Sequence, residues 1–146
     1  QHAHRHLTVL PELTGLPVVV KGVLRADDAV TCVDAGAAGV VVSTHGGRCL
    51  TQSTTSADAL PEVASAVGDR AEVYVDSGLR TPEHVAAALC LGARAVFLGR
   101  PVLWALATGG DARVEQLLAG FDTQLERVLH SLGAASLDDL GPDLVA

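Results

Sequence analysis

Four short runs of apolar, largely β-branched residues recur along the chain: Leu16–Val20, Gly39–Ser43, Glu72–Asp76 and Ala95–Gly99. Each is continuous rather than alternating, the pattern of strands buried on both faces in a parallel sheet. Helix-forming segments lie between them. Ala26–Ala35 follows Arg25, Asp58–Val67 opens with Asp58 near a cap position and Pro61 in its first turn, and Pro82–Leu91 carries Thr81 as cap and Pro82 at the first helical position. A short helix is expected over Pro101–Ala107 and a longer amphipathic one over Asp111–Leu132, with Leu117, Leu118, Phe121, Leu125, Val128, Leu129 and Leu132 on its buried face. The phrases D-A-G-A-A-G-V-V-V at Asp34–Val42 and L-C-L-G-A-R-A-V-F-L at Leu89–Leu98 both end a helix at a glycine and re-enter a strand within a few residues.

Units this alike suit a TIM (β/α)8 barrel better than a doubly wound sheet. A closed barrel needs eight βα units, and the sequence holds four such runs. The expected fold is therefore α/β, a half-barrel, with residues 1–146 forming one unit and no second domain.

Composition narrows the setting. Hydrophobic residues make up 49% of the 146 positions but aromatics only 3%, so the core must be built from Ala, Val and Leu. The formal charge of −7 argues against nucleic acid or an anionic membrane as a main partner. No apolar run approaches the roughly 20 residues of a membrane helix. Cys32, Cys49 and Cys90 are odd in number and widely spaced, which fits a reducing, cytoplasmic compartment. The opening Q-H-A-H-R-H reads as a polar tail; His2, His4 and His6 could chelate a metal only as a strand, and no metal site is expected. The chain contains no methionine, as expected of a segment of a longer protein.

Each strand run ends in chemically loaded residues, at the end where βα proteins carry their chemistry. The first ends V-V-V-K-G, and Lys21 is the chain's one lysine among 10 basic residues; its ammonium could neutralise a developing anion. The second ends S-T-H-G-G-R. His45 can take a proton near neutral pH, and Arg48 can grip a carboxylate or phosphate with two parallel hydrogen bonds. The third ends V-D-S-G-L-R and the fourth L-G-R-P, each placing a glycine and an arginine before a helix N-terminus. Glycine at 78 and 99 allows close backbone approach, and Arg80, Arg100 and the helix N-termini together suit a phosphate. Asp76 could accept hydrogen bonds from ligand hydroxyls.

K-G, S-x-H-G-G-R, D-x-G-x-R and G-R-P in this order, with D-A-L-P-E-V, L-C-L-G-A-R-A-V and a final S-L-D-D-L, resemble the C-terminal half of the FMN-dependent α-hydroxy-acid dehydrogenases and oxidases. Glycolate oxidase, lactate oxidase, lactate monooxygenase and mandelate dehydrogenase belong to that family. The resemblance implies strands five to eight of the family's barrel, FMN as cofactor, oxidation of a 2-hydroxy acid to a 2-oxo acid, and a homo-oligomeric full-length protein. It implies Lys21 beside the flavin N1 and C2 carbonyl, where it stabilises the reduced, anionic flavin, and Ser43 at the flavin edge. His45 becomes the base and, with Arg48, binds substrate, Arg48 taking the carboxylate. Asp76, Ser77, Gly78, Leu79 and Arg80, with Gly99 and Arg100, become the residues that hold the ribityl chain and phosphate.

The chain departs from the family's S-N-H-G-G-R-Q-L-D at Thr44, Cys49 and Thr51, and Thr81-Pro82 replaces an Arg-Gly pair. Those departures, and the absent first four strands with their further flavin, substrate and histidine-orienting residues, motivate an alternative: an inactive truncated remnant that at most binds FMN phosphate or self-associates. Another phosphate-binding barrel, such as a type 2 isopentenyl-diphosphate isomerase or an IMP dehydrogenase, is a third reading, opposed by the pairing of His45 with Arg48.

Overall fold

The computed structural model describes residues 2–50 and 52–145. Its centre is a parallel four-stranded sheet in the order β1-β2-β3-β4, from β1 (Val19–Val23), β2 (Gly39–Val42), β3 (Glu72–Val75) and β4 (Ala95–Val96). The helices are α1 (His2–Thr14), α2 (Ala26–Asp34), α3 (Ser56–Val67), α4 (Pro82–Cys90) and α5 (Arg100–Leu132). Spatial order follows sequence order, as consecutive right-handed βα units require. The architecture is half of an α/β barrel.

Period-2 alternation sorts the strand residues onto two faces. Val20, Val40, Val42, Val73, Val75 and Val96 face α2, α3 and α4, forming one core with Ala29, Leu60, Val63 and Ala88. Small residues allow the close approach. Gly39 pairs with Glu72 across β2 and β3, and a Cβ there would stand 2.8 Å from the Glu72 carbonyl oxygen. The other face carries Val19, Lys21, Val41, Glu72, Tyr74, Ala95 and Phe97. Burial on both faces was the expectation for all four strands, and it holds only for β2. Val19 and Phe97 remain 43% and 49% exposed, because the helices cover one side of the sheet and nothing among the described residues covers the other.

Helix ends follow the sequence chemistry. Thr81 caps α4 by accepting from the His84 N–H, with Pro82 in the first turn. For α3 the cap is Thr55 rather than Asp58: the Thr55 hydroxyl accepts the Asp58 N–H, so the helix starts two residues earlier than expected, at Ser56. After α2 and α4, Gly36 and Gly92 take φ of +100° and +98° and close the six-to-one and five-to-two hydrogen bonds of a Schellman stop. Helix α5 breaks at Gly109–Gly110 into the two segments expected. Its long segment is less deeply covered than expected: Leu118 is exposed, and the one buried residue of α5, Ala105, lies before the break.

Two further expectations change. Strand β1 lies at Val19–Val23 instead of Leu16–Val20. Apolarity marks burial, whereas pairing with β2 continues through the polar Lys21 and a bulge at Gly22. The expected polar tail is helical from His2 onward, where α1 begins; among the described residues the strand spacing that chelation needed is absent.

Candidate active site

The same alternation that gives β1–β3 their faces carries Lys21, Ser43 and Asp76 to the open face at the C-terminal ends of the strands. There they form one polar network. The Lys21 ammonium donates to Ser43 Oγ at 2.7 Å and pairs with Asp76 Oδ2 at 2.8 Å. Asp76 Oδ1 accepts the Ser77 hydroxyl at 2.8 Å. Burial pushes the Asp76 carboxyl up, but hydrogen bonds from Lys21, Ser43 and Ser77 and the Lys21 charge outweigh it, holding the group below the usual carboxylate range.

The H-G-G segment turns directly above this network as a short 3-10 turn, His45–Gly47. His45 has φ +54° and Ser77 φ +73°, a left-handed region that non-glycine residues rarely enter and that marks functional segments. The turn is tied down by serine oxygens: Ser77 Oγ accepts from Thr44 N–H at 3.2 Å and Gly46 N–H at 3.0 Å, and Ser43 Oγ from His45 N–H at 3.0 Å. The His45 ring lies against Gly22, where φ is +99° and a Cβ would stand 2.6 Å from Cε1.

A cavity of about 600 Å³ opens beside this turn, within the usual range for small-ligand sites. Lys21, His45, Arg48, Asp76, Ser77, Gly78, Leu79, Arg80, Gly99 and Arg100 all line it. Of the residues expected at the site, only Ser43 does not reach the wall; it is buried beneath, linking Lys21 to the His45 backbone. Thr51 lies outside the described residues. Arg48, Arg80 and Arg100 form no ion pair among the described residues, and Asp76 is the one carboxylate in the wall. A chain of net charge −7 thus concentrates four cations around one carboxylate in a single cavity, a field that favours an anionic ligand.

The wall also suits a phosphate-bearing, partly flat group. A Cβ added at Gly78 or Gly99 would meet nothing within 4 Å, leaving the backbone before α4 and α5 open to close approach. Arg80 and Arg100 flank those helix starts, with the helix N–H groups and dipoles behind them. Arg80 stacks on Trp104, its guanidinium carbon 4.8 Å from the ring centroid, and Arg100 reaches the Gly46 carbonyl at 3.4 Å. Phe97, Leu79 and Leu103 supply apolar wall. Sequence reasoning assigned no role to Gly22, Phe97, Leu103 or Trp104. Alternation along β4 carried a signal for Phe97; the others depend on three-dimensional neighbours.

Comparison with known proteins decides the family. The model of the FMN-dependent dehydrogenases matches residues 2–146. The chain belongs to that family. FMN is the family's cofactor, and the cavity fits it. The chain is 43% identical over 139 residues to 2-hydroxyacid oxidase 2 of Rattus norvegicus, covering 95% of this chain and 39% of that protein. It is 45% identical over 131 residues to an L-lactate oxidase of Nostoc sp., covering 90% and 36%. It is 47% identical over 133 residues to the pre-mycofactocin synthase of Mycobacterium tuberculosis, covering 91% and 34%. Among solved structures, a mandelate oxidase with (S)-4-hydroxymandelic acid superposes with TM-score 0.89 at 40% identity, over 94% of this chain and 41% of that one. A Pediococcus acidilactici (putative) lactate oxidase superposes with TM-score 0.91 at 39% identity, over 94% and 38%. The chain therefore spans well under half the length of these relatives.

Proposed function

We propose that this chain is the C-terminal half, strands five to eight, of an FMN-dependent enzyme that oxidises a 2-hydroxy acid to a 2-oxo acid. The observation that carries the reading is the convergence of His45, Lys21 and three arginines on one cavity at the strand ends. Bound FMN supplies the two-electron acceptor. The rest falls to side chains. Arg48 holds the substrate carboxylate through two parallel hydrogen bonds. His45 takes the proton that leaves the hydroxy acid. Negative charge grows on the reacting groups as that proton departs, and Lys21, anchored by Asp76 and Ser43, opposes it from a fixed position. Arg80, Arg100 and the glycine-led helix starts at Gly78 and Gly99 hold the phosphate, while Asp76, Ser77 and Leu79 border the ribityl chain.

The relatives' names span a 2-hydroxyacid oxidase, a lactate oxidase and a pre-mycofactocin synthase, so the acid itself is set by a panel. The test is anaerobic: the chain, with the complementary half from a relative, is loaded with FMN and mixed with lactate, glycolate or mandelate. Bleaching of the flavin absorbance with at least one acid is expected, and His45→Ala should slow it by about a thousandfold. A flavin that stays yellow with every acid would overturn the reading. The full-length protein is proposed to be a cytoplasmic homo-oligomer, the compartment resting on the free thiols of Cys32, Cys49 and Cys90.

A second reading has its own support. The open face of β1, β3 and β4 and the altered Thr44 and Cys49 beside His45 favour an inactive remnant that at most binds FMN phosphate. Flavin retention without bleaching, with the complementary half present, identifies that case.

A further inference from the structure

We propose that Ser77 is a positioning residue: its hydroxyl fixes the Thr44–Gly46 turn and so keeps the His45 imidazole in its seat against Gly22. The inference rests on the reading of His45 as the base. A serine hydroxyl has one proton to donate and two lone pairs to accept with. Ser77 uses all three: it donates to Asp76 Oδ1 at 2.8 Å and accepts from the backbone N–H groups of Thr44 at 3.2 Å and Gly46 at 3.0 Å. The Asp76 carboxylate therefore sets the direction of the proton, which turns both lone pairs toward the turn. The intervening N–H, that of His45, ends on Ser43 Oγ. Three successive backbone N–H groups are thus held by two hydroxyls, and the middle residue carries the imidazole.

The backbone at Ser77 points the same way. At φ +73° a glycine would sit with less strain, and Gly78 follows with φ +93°. What serine adds at this position is the hydroxyl. His45 is itself held at φ +54°, a conformation that persists only where surrounding contacts impose it. Without the Ser77 hydroxyl, the Thr44 and Gly46 N–H groups turn to water, the turn relaxes toward negative φ, and the ring leaves Gly22.

The test compares Ser77→Gly and Ser77→Ala with the unmodified chain by NMR. Both variants lose the hydroxyl, but Ser77→Gly also relieves the strain, so it folds at least as stably as Ser77→Ala. In each, amide exchange at Thr44 and Gly46 should accelerate about tenfold. The nuclear Overhauser contact between His45 Hε1 and the Gly22 hydrogen at the Cβ position should weaken, with β3 amides unaffected. Unchanged exchange and an unchanged His45–Gly22 contact in Ser77→Gly overturn the proposal, and so does acceleration spread evenly through β3, which marks a merely structural role. In the FMN-loaded protein with its complementary half, Ser77→Gly should lower kcat about tenfold with a smaller change in KM. If no 2-hydroxy acid is oxidised even by the unmodified protein, the proposed function fails, and the NMR readouts still decide the role of Ser77.

Discussion

Gly22 sits in the β1 bulge at φ +99°, and the place its Cβ would occupy is taken by the His45 ring, 2.6 Å from Cε1. Gly22→Ala therefore meets two costs, the left-handed backbone and the displaced imidazole, together about 1–3 kcal/mol. The expected result is a folded protein with a lower urea midpoint and a flavin-bleaching rate reduced at least tenfold, checked by equilibrium unfolding and anaerobic stopped flow. Asp76 supplies a pH dependence. Its folded pKa lies below the unfolded value of about 3.9. The stability it contributes is thus fully present above about pH 4 and lost as pH falls through the folded value. Urea midpoints from about pH 6 down to about pH 2 should show this loss, and Asp76→Asn should remove that component of the slope. At this scale much of the site was legible: position at the ends of the strand runs and motif order singled out Lys21, Asp76, His45 and Arg48. The seat at Gly22 and the saturated hydroxyl of Ser77 were not, because each depends on a chain segment more than twenty residues away.

Helices α4 and α5 begin beside the same cavity, and Arg80, just before α4, stacks on Trp104 of α5. Trp104 is the chain's only tryptophan, so it reports on Arg80 without background. Inorganic phosphate drawn to the helix starts competes for the guanidinium, and a saturable change in Trp104 emission should follow. Arg80→Gln should weaken phosphate binding by about tenfold, the loss of a charge-assisted pair, and abolish most of the emission change. Element boundaries were legible where local chemistry decides them. Thr81-Pro82 opens α4, Gly36 and Gly92 stop α2 and α4, and Gly109–Gly110 breaks α5. They were misplaced where tertiary pairing overrides local pattern. β1 runs on into the polar site, and Thr55 takes the cap of α3 from Asp58. Gly92 also has a packing role, since a Cβ there would stand 2.7 Å from Ala64 Cβ. Gly92→Ala should cost about 1–2 kcal/mol, measured by urea unfolding.

At the scale of the molecule, the sheet has a covered face and an open one, and the candidate site stands at the top of the open one. The continuous apolar runs suggested burial on both sides, which is the pattern of a complete barrel rather than of these units alone. Val19 on β1 and Phe97 just beyond β4 are apolar, about half exposed, and on the face where a closed barrel keeps its inner layers. Tyr74 lies between them, its ring 5.6 Å from that of Phe97. Apolar area on this face is worth roughly 25 cal/mol per Å² once covered, so the four remaining βα units of a relative should bind there. The isolated chain is expected to enhance the fluorescence of an apolar dye, and the complementary half to remove that enhancement as it restores flavin binding. Lysines at both Val19 and Phe97 test the geometry. Both side chains are already about half exposed, so the doubly substituted chain should keep its unfolding free energy, measured in urea, within about 1 kcal/mol of the original. Closing the barrel would then bury two charges without partners, and association with the complementary half should fall at least a hundredfold. Association that survives both lysines would mean that the open face is not the one the other half covers.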